Sequence, residues 1–206
     1  MKKPVSVETL EKLGRVRLSR SFFMRDFLFS DIAAINRFSN IPDEPDLAIK
    51  AGKRLCEELL EPLQDQFGRI AIRSAYRSPE VNDFGATNGL NCASNKGNAG
   101  HHIWDMLDAD NCMGATACIV VPSFYDRFQA EGDWKRLAWW IHDHLPYSEI
   151  CFFKTYWAFN LNWHENPKRH ISSWLETPRT LTKPGMENHT LSHEGEWRGI
   201  VEACRR

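Results

Sequence analysis

Arg69 to Gly100 reads RIAIRSAYRSPEVNDFGATNGLNCASNKGNAG. Its first part, Arg69 to Arg77, alternates apolar and polar side chains as a half-buried strand does. The part from Pro79 onward is dense in Asn and Gly and reads mainly as loop, and a loop that long inside a domain is commonly functional. Upstream, Ser30 followed by Asp31 is a helix start before Ile32, Ala33, Ala34 and Ile35, and Pro42 and Pro45 close that unit. Leu47, Ala51, Leu55, Leu59 and Leu63 then recur every four residues, which predicts one buried face of a long helix, kinked at Pro62 and ended by Gly68. Downstream, ATACIVVP (Ala115 to Pro122) suits a buried strand, and Asp133 to Leu145 reads as a helix capped by Asp133 with Trp134, Leu137, Ala138, Ile141 and Leu145 inward. Two strands follow, near 148–153 and 156–164. Helices first, then strands interrupted by a helix, predict an α+β domain with a mainly antiparallel sheet covered by helices.

The flanks read differently. Residues 1–20 are polar and basic, with Val7, Leu10 and Leu13 spaced as a short amphipathic helix, and are set apart as an N-terminal extension. Residues 177–206 turn polar and proline-bearing, a C-terminal extension with a closing helix near Glu194 to Ala203. That leaves 21–176 as the domain. A chain of 206 residues with 42% hydrophobic residues, 12 Phe and 8 Trp can bury a real core, which excludes wholesale disorder. A net charge of -1 offers no basic face for nucleic acid or anionic membrane. The N-terminus has two lysines but no apolar run behind them, so synthesis in a cytoplasm without a signal peptide is expected, and no run is long enough to span a membrane. Six cysteines without a CxxC pair read as buried or free thiols.

Four clusters can carry chemistry: Ser74 to Ser78 at the strand end, His101-His102 near Asp105, Asp108 and Asp110, Asn160 to Glu165, and His170. Alone, each has a plain structural explanation: a loop contact for the histidines, an ion pair from Arg77 to Asp83, Asp105 or Asp110. Taken in order, they change weight. Pro62-Leu63 with Phe67-Gly68, SAYRSPEVN (Ser74 to Asn82), AGHHIWDMLD (Ala99 to Asp108) and NLNWH (Asn160 to His164) follow one another, and from about Phe22 to Trp174 the chain resembles the zinc D-alanyl-D-alanine peptidases of the Hedgehog-like fold, which cut peptidoglycan stem peptides. SAYRS…VN is the most specific of these pieces.

The resemblance implies roles. His101, Asp108 and His164 match the zinc ligands, nitrogen and carboxylate donors that suit Zn²⁺ with a position left for water. A register shifted to His102 would pair it with Ala109, which cannot ligate. Arg77 matches the arginine that grips substrate, since a guanidinium can hold a terminal carboxylate by two hydrogen bonds, and Tyr76 and Ser74 would line the same cleft. A second register makes His170, in KRHIS, the third ligand.

Departures matter as much. Trp104 and Met106 replace Gly and Ala of the family's second motif. The family's ExxWH carries a catalytic Glu four residues before its His, on the same strand face; here that position is Asn160, and an amide cannot take a proton from water. In the second register the Glu falls at Phe153. Glu149 and Glu165 are the available substitutes. The resemblance therefore implies a zinc-dependent peptidase hydrolysing a D-alanyl bond in stem peptides, with delivery by a phage to virion or host cell wall as one setting. The alternative is a catalytically disabled member of the fold that binds cell wall or serves as a virion structural module, which Asn160 favours.

Overall fold

Ser6 starts the first helix, α1 (Val7–Gly14): its hydroxyl accepts the Thr9 N–H at 3.2 Å while the Thr9 hydroxyl accepts the Ser6 N–H at 3.0 Å. α1 buries Leu13 and leaves Val7 exposed. The computed structural model describes residues 1–205. α2 (Asp31–Asn36) begins on Ser30, as the spacing predicts. The long helix is one rod in three parts: α3 (Pro45–Leu55), a π-helical turn (Cys56–Leu60) and α4 (Glu61–Phe67). Pro62 has no N–H for the Glu58 carbonyl, and the rod widens in the turn just before it. Ala48, Ala51, Leu55, Leu59 and Leu63 form its buried face, and Gly68 stops it with φ 77°. The N-terminal segment is tied to this rod by the buried carboxylate of Glu61, which accepts from Ser19 Oγ (2.7 Å), Ser21 N (2.6 Å) and Arg20 Nε (3.0 Å).

Six strands follow: β1 (Ala71–Ser74), β2 (Gly114–Val120), β3 (Glu149–Phe152), β4 (Phe159–His164), β5 (His170–Ser173) and β6 (Thr180–Thr182). They form one sheet in the order β1-β2-β4-β3-β5-β6, antiparallel throughout except for the β3/β5 pair. The architecture is thus mixed helix and sheet, with the sheet mainly antiparallel. Alternation divides its faces. Ala117, Leu161, Ile150 and Ile171 stand abreast across four strands, fully buried beneath the helical layer, where α3 packs on β2 and β4. The opposite face is polar. One row across it is Ser74, Cys118, Asn160, Cys151 and Ser172, and the next is Thr116, Asn162, Glu149 and His170.

Several expectations need correction. The Asn- and Gly-rich segment holds a nine-residue helix, α5 (Pro79–Thr87), and a short one, α6 (Asn95–Asn98). Ser78 caps α5 through Val81 N–H at 3.3 Å and Pro79 sits in its first turn, a start signal that outweighs the Gly and Asn content because Val81 and Gly85 are buried. α7 (Pro122–Phe128) begins directly after β2 and buries Phe124 and Phe128. In α8 (Lys135–His144) the cap residue is Trp134 rather than Asp133, whose carboxylate lies 3.9 Å from Arg136 Nε; the expected inward set is buried. The C-terminal segment adds β6 to the sheet, then α9 (Glu194–Trp197) and α10 (Ile200–Cys204), two helices parted at Gly199 (φ 80°), with Ile200 fully buried. All six cysteines are free. No helix among the described residues is long and apolar enough to cross a membrane.

Candidate functional site

The polar face of the sheet is roofed by the segment from Ser78 to Met113. Asn162, at the middle of β4, fixes the roof: its Nδ2 donates to Gly100 O (3.2 Å), Ala115 O (3.2 Å) and Thr116 Oγ1 (2.9 Å). Its Oδ1 is buried without a partner among the described residues. The roof approaches so closely that a Cβ on Gly114 would lie 1.9 Å from Gly100 O, so only glycine fits there. Within the roof Asn98 Nδ2 donates to Asn82 Oδ1 (2.5 Å), and Asn82 Nδ2 donates to Ala93 O (2.9 Å) and Asn95 Oδ1 (2.8 Å). Two adjoining recesses result, of about 260 and 330 Å³, and both are walled by His102 and Asn160.

The larger recess holds Arg77. Its backbone N–H donates to His102 O (2.8 Å), and its Nη1 reaches Cys92 Sγ (2.6 Å) and Asn82 Oδ1 (3.4 Å). Among the described residues no carboxylate lies within ion-pair distance of it. Burial accordingly lowers its pKa from the usual arginine range. Asp105, one of the partners expected for it, is committed to Tyr76 Oη (3.0 Å) and Asp43 N–H (2.7 Å). Ser74 and Tyr76 both border this recess, Ser74 beside Cys118 and Tyr76 with its ring fully buried against Trp104. Burial pushes the Cys118 thiol up to about 11 despite nearby Arg73 and Arg77.

The smaller recess holds His101, Glu149 and His170. His101 Nε2 is 3.5 Å from Glu149 Oε2, which also lies 3.4 Å from Lys168 Nζ; burial lowers the His101 pKa. His102 donates Nδ1–H to Ala75 O at 2.7 Å, and its burial pushes the pKa down to about 3, so the ring is neutral. The sequence reading gave no role to Cys118, Cys151, Asn162 or Ser172, which period-two alternation through β2, β3, β4 and β5 places on this face.

Asp108 and His164 meet at the end of β4. His164 Nε2 lies 3.0 Å from Asp108 Oδ2, a carboxylate oxygen that accepts, and its Nδ1 lies 3.0 Å from both the N–H and the carbonyl oxygen of Asn166. Asp108 Oδ1 accepts the N–H groups of Asp110 (2.9 Å) and Cys112 (2.8 Å). Desolvation works against these bonds, yet they and His164 hold the carboxyl below its ordinary range. His164 and Asn160 share the expected strand face. Glu165 points elsewhere, accepting the Met113 N–H at 2.7 Å, and His170 Nε2 lies 3.3 Å from Thr180 Oγ1. Two zinc ligands about 3.3 Å apart suit a tetrahedral ion, so the Asp108–His164 pair fits as far as it goes. His101 does not close the set.

Among the described residues the one group of three His, Cys, Asp or Glu donors lying within 4.8 Å of one another is His142, Asp143 and His193. These can hold a metal ion. His193 Nδ1 is 2.8 Å from Asp143 Oδ1 and its Nε2 is 2.8 Å from Asn188 O; His142 is flanked by Tyr147 Oη (2.6 Å) and His189 O (2.9 Å). The indole of Trp139 stacks on His193 at 3.8 Å. The sequence shows His-Asp-His at 142–144, but nothing in it brings His193 there. No family model, curated protein or solved structure matched this chain in comparison.

Proposed function

We propose that the cleft binds the carboxylate end of a short peptide, of the kind that ends a peptidoglycan stem, and does so as a binding module of the D-alanyl peptidase type rather than as a hydrolase. The observation that carries this reading is Arg77, a half-buried guanidinium at the wall of a recess, with no carboxylate partner among the described residues. Desolvating a cation without a counter-charge is costly, and a ligand carboxylate held by two hydrogen bonds would relieve it. Against hydrolysis stand the amide of Asn160 where the resembling family has a Glu, and the failure of His101 to join Asp108 and His164. The setting that goes with this reading is a cell wall or a virion that contacts one.

One observation favours the hydrolytic reading: Asp108 Oδ2 and His164 Nε2 lie 3.0 Å apart, as two ligands of one Zn²⁺ would. There zinc would supply an acidified water, and Glu149, beside His101, would be the carboxylate available to act as base.

The test is binding of a stem peptide ending in free D-alanine, followed calorimetrically, with the C-terminal amide as control. Hydrogen bonds to a charged group are worth about 1.5–3 kcal/mol, so amidation or Arg77→Lys should weaken binding by roughly 10- to 100-fold. Equal affinity for acid and amide would defeat the proposal. Release of D-alanine by zinc-loaded protein, lost in Asp108→Ala, would establish the hydrolytic reading instead.

A further inference from the structure

The segment between β6 and α10 has little apolar anchorage: from Lys183 to Gly199 no apolar side chain is fully buried, Leu191 is largely exposed, and half-buried Trp197 is its one side chain packed against the core. Its other ties to α8 are polar, from Trp197 Nε1 to Asp143 and from Arg136 to the Glu196 and Arg198 carbonyls. Yet α9 lies against α8, and His193, 7% exposed, is the buried residue of this stretch. A short segment without a core of its own needs a staple. We propose that His142, Asp143 and His193 bind one divalent transition ion of the zinc type, and that this ion fastens the C-terminal segment to α8.

Donor chemistry and placement both support it. Two imidazoles and one carboxylate are a common zinc set, and their ligand atoms lie within 4.8 Å of one another. Metal-bound histidines ordinarily give their second ring nitrogen to a carbonyl or hydroxyl. Those partners are in place. If His193 binds through Nδ1, its Nε2–H keeps Asn188 O; whichever nitrogen His142 uses, the other keeps Tyr147 Oη or His189 O. Asp143 is oriented through Oδ2, which accepts the His193 N–H (2.9 Å) and Trp197 Nε1–H (2.7 Å), leaving Oδ1 toward His193 Nδ1. Both ring nitrogens of His193 face acceptors, Asp143 Oδ1 and Asn188 O; the ion takes the place of the hydrogen between Nδ1 and Oδ1, which leaves to solvent as a proton. The bond it replaces joins α8 to the tail already, so the ion strengthens an existing link.

The test uses full-length protein, stripped with EDTA and titrated with Co²⁺, whose visible d–d absorption reports ligand number. Cobalt should bind in wild type and in the cleft variant His101→Ala/Asp108→Ala, and be lost in His193→Gln and Asp143→Asn. Saturation should also slow proteolysis within 183–199 by about tenfold or more, since the ion binds only the docked state. Wild-type protein measured with and without cobalt serves even if a variant misfolds. Absence of cobalt binding, binding that survives His193→Gln, or proteolysis indifferent to the ion would each overturn the proposal. Binding lost only in the cleft variant would place the metal with Asp108 and His164 instead.

Discussion

The cleft over the sheet and the cluster on α8 contain the same residue types and use them in opposite ways. In the cleft His101 turns to Glu149 while Asp108 and His164 turn to each other, and the cation Arg77 has no anion among the described residues. On α8 the histidines and the aspartate converge, and every ring nitrogen of His142 and His193 has a partner. An unsatisfied group marks a place that awaits a ligand, and in the cleft that group is Arg77. The cluster is already a joint between α8 and the tail, which the proposed ion would tighten by taking the place of one of its hydrogen bonds.

The largest expected effect tests whether the cleft is a built site. Asn162→Leu removes the donor shared by Gly100 O, Ala115 O and Thr116 Oγ1, leaving buried acceptors unpaired at about 1–3 kcal/mol each. A loss of about 2–4 kcal/mol is expected, which lowers the Tm by roughly 5–15 °C. A Tm within error of wild type would mean that the roof is held elsewhere.

Acid sharpens the comparison next. The folded pKa of His102 lies near 3, below its usual 6.5, so the unfolded chain takes up the proton first as pH falls. Stability from this residue is present above pH 6.5 and is lost as pH drops toward 3. His102→Asn should therefore flatten the acid limb of a Tm-against-pH curve. An unchanged slope would show that the imidazole is not kept neutral by the fold.

The smallest effect has the most telling sign. If Arg77 is an unmet charge, Arg77→Met should cost no stability and gain up to about 1 kcal/mol, while abolishing carboxylate binding. Destabilisation by more than that, read from urea midpoints, would mean that the contacts to Cys92 and Asn82 already satisfy the guanidinium.

Local signals in the chain were sufficient for much of the fold. The four-residue spacing from Ala51 to Leu63 predicts the rod because a helix returns to the same face every turn, alternation from Arg69 to Arg77 predicts β1, and the apolar run from Ala115 predicts β2. α5 was masked by composition: Gly and Asn suggest loop, whereas the Ser78 cap, Pro79 and two buried positions decide for helix. β6 is three residues long, too short for any periodicity to register. In the site, Arg77, Ser74, Tyr76, Asn160 and Glu149 were legible as residues at strand ends and on strand faces; the bond from Tyr76 Oη to Asp105 was not, because only packing beside Trp104 brings the two together.

By itself, then, the sequence determined the type of the longer elements outside the Asn- and Gly-rich segment, the shared face of Asn160 and His164, and the donors available to each cluster, since these follow from helical and strand periods acting over a few residues. Tertiary structure alone decided which donors meet. The register of β4 against β2 and β3 sets Asn160 between Cys118 and Cys151, the fold of the roof sends His101 to Glu149, and the path of the tail delivers His193 to Asp143, fifty residues away along the chain. Such long-range pairings are fixed by the packing of the whole core, and no local pattern encodes them.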